Sequence, residues 1–167
     1  TNKDEVAGTV GYSTAKNARL TADANKKLNE TTGVRLNLMK QNGEVAGRDE
    51  VEIDRTGIAA SVGFGIGTAT RTSINYERTL QKDIPDGGIP TIGLPTFYSE
   101  PLVRNSITPA KVDTLNFYGS SNDFEDAQKD TFTVKFEQDI SDKTTFKNTT
   151  RYAKPEQKML LTAPALD

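Results

Sequence analysis

The 167-residue chain contains no cysteine, no histidine and no tryptophan. Without cysteine there is no disulfide framework, and without Cys or His the common zinc sites and histidine-ligated haem fall away. The same absences remove Ser-His-Asp and Cys-His nucleophile systems, which need an imidazole base. Neither sign of charge dominates. The 21 Lys and Arg against 23 Asp and Glu leave a net charge of −2, so the basic footprint of a nucleic-acid-binding domain is missing. The opening, TNKDEVAG, shows no basic-then-apolar leader, so no signal peptide is expected in it. Long hydrophobic runs are also absent. The longest stretch free of charged and large polar side chains is 57–67, GIAASVGFGIG. It is too short for the ~20 residues of a membrane helix, yet it matches the ~9–11 of a tilted membrane β-strand.

What the chain does have is threonine, 22 residues of it, and a hydrophobic share of only 34%. The core of a compact globule built from this composition would be thin. Helical periodicity is scarce, whereas alternation with period two recurs. Val34, Leu36 and Leu38 alternate with Arg35, Asn37 and Met39, and Ile58, Ala60, Val62, Phe64 and Ile66 with Ala59, Ser61, Gly63 and Gly65. The same pattern returns at Thr72, Ile74 and Tyr76, at Phe132, Val134 and Phe136, and from Phe146 to Tyr152. Each run sets apolar side chains on one face and charged or hydroxyl groups on the other, as a half-buried strand does. With two weaker runs at the start, the pattern predicts seven strands, at about 5–14, 18–28, 32–41, 51–65, 69–80, 128–140 and 144–154.

The connections alternate in length. Residues 29–32, 65–68 and 141–144 are short turns, and between them fall longer segments, 41–50 and then 81–126. The last holds five of the seven prolines, which cannot donate to a ladder, so it is predicted to lie outside the sheet. A loop of that length argues against a compact soluble domain. Short turns at one end and long loops at the other are the layout of an outer-membrane β-barrel, with apolar faces toward lipid and polar faces toward the lumen. A soluble antiparallel sheet with one solvated face gives the same alternation and is the rival reading. Seven strands cannot close a bacterial barrel, whose strand number is even, so the barrel reading makes this chain part of a larger wall.

Several stretches carry a family likeness. Val34-Arg35-Leu36-Asn37-Leu38-Met39, followed by Val45-Ala46-Gly47-Arg48-Asp49, resembles the early barrel strands of TonB-dependent ferric siderophore receptors of the catecholate branch. So do Arg55-Thr56-Gly57-Ile58-Ala59, the 64–68 turn and the DIPDGGIP run at 83–90, in order and at matching spacing from about residue 6 to 155. The resemblance implies an all-β fold, an antiparallel transmembrane segment of about seven strands from a larger 22-stranded barrel, with short periplasmic turns and long extracellular loops. It implies a partial barrel domain over 1–167, with the plug, the TonB box and the closing strands left to regions outside it. The implied setting is the Gram-negative outer membrane. The implied function is binding and import of ferric siderophore with energy from the TonB system. Partners would be a ferric catecholate, outer-membrane lipid, the plug and remaining strands, and TonB itself through those outside regions. No cofactor is expected, iron entering only within the siderophore ligand, and no enzyme activity is expected. The rival function is a soluble or surface-attached β-sheet binding or adhesion module.

A ferric catecholate carries negative charge and aromatic faces, so its site wants cations and rings. In the predicted outer loops these are Arg48, Phe97, Tyr98, Arg104, Phe117 and Tyr118. Set against this, Arg48 could pair with Asp49 or Glu50 at the rim, and the aromatics could pack the long loop on itself. That loop carries Lys82, Arg104 and Lys111 against seven carboxylates, so it is no basic funnel. Asp86-Gly87-Gly88 reads as a turn rather than a phosphate cradle, lacking the flanking strand and helix. The acidic run 122–126 could offer calcium oxygens, though without a known ligand spacing. Glu125 and Asp126 are adjacent, which sets them poorly for glycoside chemistry. Lumen-facing Arg35, Arg71, Glu77, Lys135, Glu137, Lys147 and Arg151 are expected to pair across strands or with a plug.

Overall fold

A computed structural model describes residues 3–91 and 111–164. They form seven strands and no helix: β1 (Glu5–Tyr12), β2 (Ala18–Lys27), β3 (Gly33–Glu44), β4 (Glu52–Phe64), β5 (Thr70–Asp83), β6 (Phe124–Ser141) and β7 (Thr144–Leu160). The strands lie side by side in chain order, each antiparallel to the next, in one sheet. Short connections join β2 to β3, β4 to β5 and β6 to β7 at one end, closed by bonds such as Leu28 N to Thr32 O and Thr68 N to Gly65 O. The other end carries the links between β1 and β2, β3 and β4, and the long one between β5 and β6.

The register keeps the alternation in step across the sheet. Leu36 lies between Ala24 and Ala60, and Tyr76 between Ala60 and Phe132, so apolar residues share one face from β1 to β7. That face is bare. Val6 and Val10 are 82% and 80% exposed, and Tyr152 is 67% exposed. Among the described residues Val51 is the one buried hydrophobic side chain. A sheet stable in water must cover an apolar face with a second layer. None is present among the described residues.

Charged residues border the apolar face, and the border slants. On the loop side it is set by Lys40 on β3, Arg78 on β5, Asp130 on β6 and Lys154 on β7. The β5–β7 row lies one step nearer the short turns than the row of Lys40. On the turn side Lys26, bonded to Asp4, ends the face on β2, yet Lys26 lies opposite Val34, in the row that reaches Val62, Ile74 and Val134. On β6 and β7 apolar residues continue past that row to Phe136 and Phe146. A band that steps along the strands from one strand to the next is what strands tilted to the axis of a barrel present.

Four strand ends differ by three residues or more from the alternation-based prediction. β3 runs to Glu44, β5 to Asp83 and β7 to Leu160, while β6 starts at Phe124. The loop between β5 and β6 is accordingly shorter than 81–126. Beyond the apolar border both faces are polar, so alternation fades while the backbone ladder continues. β7 also passes through Pro155, opposite Lys129.

Candidate functional site

The loop end of the sheet is built around a short connection, 45–51, between β3 and β4. Val45 N donates to Val51 O and Arg48 N to Val45 O, so the segment is a tight loop that presents Arg48 sideways. The two arms of the long β5–β6 connection lie on either side of it. The outgoing arm is held against β4 by Ile84 N donating to Glu52 O. The returning arm is held by Asp49 N donating to Leu115 O at 2.8 Å.

Arg48 joins both arms. Its Nη2 donates to Asp86 Oδ1 at 2.7 Å and to Gly88 O at 3.3 Å, and its Nη1 to Thr114 O at 2.8 Å. The side chain is 12% exposed. Its Nε is buried and has no hydrogen-bond partner. Asp86 also accepts from Gly88 N at 2.8 Å, the local bond that makes 86–88 a turn, and Gly88 takes the positive φ (92°) that the turn requires. Burial works to raise the Asp86 pKa, but the Arg48 and Gly88 bonds outweigh it and hold the carboxyl below its ordinary value. Gly87 lies against the chain that follows β7, where a Cβ would stand 2.0 Å from Thr162 O, so a side chain there would drive the two segments apart.

A second anchor closes the returning arm. Asp123 is 4% exposed and accepts from Ser120 N (3.1 Å), Thr162 N (2.9 Å) and Thr162 Oγ1 (2.8 Å). Burial raises its pKa, and the three bonds more than compensate, leaving it lowered. The buried carboxylate of 122–126 is thus bonded within the fold. Among the described residues no cluster of three or more acidic groups could hold a metal ion. Glu125 and Asp126, as neighbours on a strand, point to opposite faces, and Glu125 accepts from Gln157 at 2.7 Å. They cannot flank one bond, which disposes of the hydrolase reading.

The six ligand candidates divide. Phe97, Tyr98 and Arg104 lie outside the described residues. Arg48 is inside the loop base, and its partner is Asp86 across the connection rather than the sequence neighbours Asp49 or Glu50, which corrects the rim-pair expectation. Phe117 and Tyr118 are half-buried on the returning arm, with Tyr118 Oη donating to Asp113 O at 3.0 Å. Sequence reasoning missed Asp86 and Asp123 as anchors. The Asp-Gly-Gly turn was a signal for the first, and nothing local signals that Asp123 reaches Thr162.

The polar face carries cross-strand ion pairs. Arg35 bonds Asp23 through two nitrogens, Arg55 reaches the buried Asp83 at 2.6 Å, and Arg71 joins Glu137 (3.2 Å) and Asp139 (2.6 Å). Lys147 adds to Glu137 at 3.3 Å. These pairs meet the expectation for Arg35, Arg71, Glu137 and Lys147. Glu77, Lys135 and Arg151 line one polar depression with Lys129, Thr131 and Thr133, and none has an ion-pair partner among the described residues.

Comparison with known proteins places this arrangement. No family model matches the chain. It is 49% identical over 147 residues to the catecholate siderophore receptor Fiu of Escherichia coli K12, which covers 87% of this chain and 19% of that receptor. It is 32% identical over 163 residues to the probable TonB-dependent siderophore receptor PiuA of Acinetobacter baumannii, covering 96% of this chain and 21% of that protein. The crystal structure of the ferric-catecholate import receptor Fiu in its open form superposes with a TM-score of 0.87 at 42% identity, over 98% of this chain and 25% of that one. The PiuA structure superposes at 0.83 and 30% identity, over 97% of this chain and 22% of that one. The relatives carry the names of receptors, not enzymes. The chain spans about a fifth of the length of the curated relatives it matches. In sequence and in fold it is a barrel segment homologous to the TonB-dependent siderophore receptors.

Proposed function

We propose that this chain forms part of the barrel wall and extracellular loop base of an outer-membrane receptor that binds ferric siderophore and imports it with TonB-derived energy. A catecholate complex is the preferred ligand. The carrying observation is a single antiparallel layer with one bare apolar face and one ion-paired polar face, joined to 49% identity with a catecholate receptor. The apolar face meets lipid, and the polar face turns toward the lumen, where Lys129, Lys135 and Arg151 face a plug. Ligand contact falls to Phe97, Tyr98, Arg104, Phe117 and Tyr118, with Arg48 in the loop base.

The test is uptake of radiolabelled iron by iron-starved cells whose only catecholate receptor is the complete polypeptide containing this segment. Saturable uptake of ferric catecholate, abolished when TonB is deleted, is expected. Equal uptake with and without the receptor would overturn the proposal. A preference for ferric hydroxamate would keep import and reject the ligand class.

A further inference from the structure

The two arms of the β5–β6 connection are brought together by one side chain from a different loop. We propose that Arg48 is a positioning residue for ligand capture: it clamps both arms of the long loop and so sets the platform from which that loop meets its ligand. This deepens the receptor reading above and rests on it.

Three features carry the inference. First, the partners of Arg48 lie on opposite sides of the loop, Asp86 and Gly88 on the outgoing arm and Thr114 on the returning one. A planar guanidinium with five donors in a fixed fork can hold two arms at one separation, which a lysine ammonium on a flexible stem cannot. Second, the clamp is buried and backed on both sides. Arg48 is 12% exposed, and the backbone bonds from Ile84 to Glu52 and from Asp49 to Leu115 flank it. Third, closing a long connection at its base removes chain entropy that binding would otherwise have to overcome. Ordering the base in advance is preorganisation, and its benefit is read in affinity.

A structural brick and a positioning clamp predict different measurements. In the complete receptor, R48A is expected to raise the half-saturating concentration for ferric-catecholate uptake about tenfold, the scale of one or two charge-assisted bonds. The maximal rate per receptor in the outer membrane should be unchanged. R48K should fall between R48A and the parent, and D86N should weaken capture in the same sense. Should R48A fail to assemble, R48K and D86N carry the comparison. Loss of maximal rate or receptor amount with unchanged half-saturation would overturn the proposal.

Hydrogen exchange on the purified receptor gives a readout independent of transport. Amides of 84–91 and 111–118 should exchange faster in R48A, while those of β3 and β4 keep their protection. Unchanged exchange in the two arms overturns the clamp whatever the uptake shows. If the parent itself imports no ferric siderophore, the receptor reading has failed, and exchange alone then decides whether the clamp exists.

Discussion

Protonating Asp86 removes the one carboxylate that Arg48 faces among the described residues, so the loop base should respond to acid. The bonds from Arg48 and Gly88 lower the folded-state pKa of Asp86 below its ordinary 3.8. Its contribution is therefore fully present at neutral pH, persists through mild acidity, and is lost only as pH falls through that lowered value. Exchange protection of 84–91, corrected for intrinsic rates, should separate parent from D86N at neutral pH and converge only in strong acid. Convergence already in mild acid would show that Asp86 is not the titrating partner. Asp123 offers a sharper local test. D123A leaves the amides of Ser120 and Thr162 without their acceptor. The outcome to look for is loosening of 120–123 and 161–164 together, with β4 unaffected. Little of this was readable from the chain: Arg48 lies 38 residues from Asp86 and 66 from Thr114, and no local pattern encodes a pairing over such distances.

At the scale of a strand, the alternation did most of the work. Val34 to Leu38, Ile58 to Phe64 and Phe132 to Phe136 announced β3, β4 and β6 because one face of each must meet an apolar medium. The same physics explains where the pattern stopped short. From Glu125 to Lys129 charged and amide side chains stand on both faces, so the sequence reads as loop although the ladder with β5 and β7 runs on. β7 likewise runs past the predicted 154, through Pro155 to Leu160. The faces themselves can be tested on β4. A lysine at Val62 should block membrane assembly, at ~2–4 kcal/mol if the site lies near the bilayer midplane. A glutamate at the neighbouring Ser61, on the face that carries Arg35 and Asn75, should be tolerated. Comparable amounts of both variants in the outer membrane would contradict the assignment of faces.

For the molecule as a whole, a single layer has consequences that a packed domain lacks. With Val51 as the one buried hydrophobic side chain among the described residues, little apolar area is removed from water by the sheet alone. The isolated chain should therefore show no cooperative thermal transition in detergent-free buffer. A sharp two-state transition with a calorimetric enthalpy appropriate to its length would mean that something covers the apolar face without lipid.

The slanted charge border turns the register into a poor ruler of depth. Lys26 on β2 and Val134 on β6 belong to the same row of paired residues, yet one sits at a boundary and the other amid apolar neighbours. On the receptor reading proposed above, a row of partners is thus a diagonal from headgroups into hydrocarbon. Spin labels placed along that row, on Lys26, Val34, Val62, Ile74 and Val134, should report steadily rising accessibility to lipid-soluble oxygen. Labels at a constant depth would follow a stepped path from strand to strand, and charge substitutions should cost about the same along that path while their cost changes along the hydrogen-bonded rows.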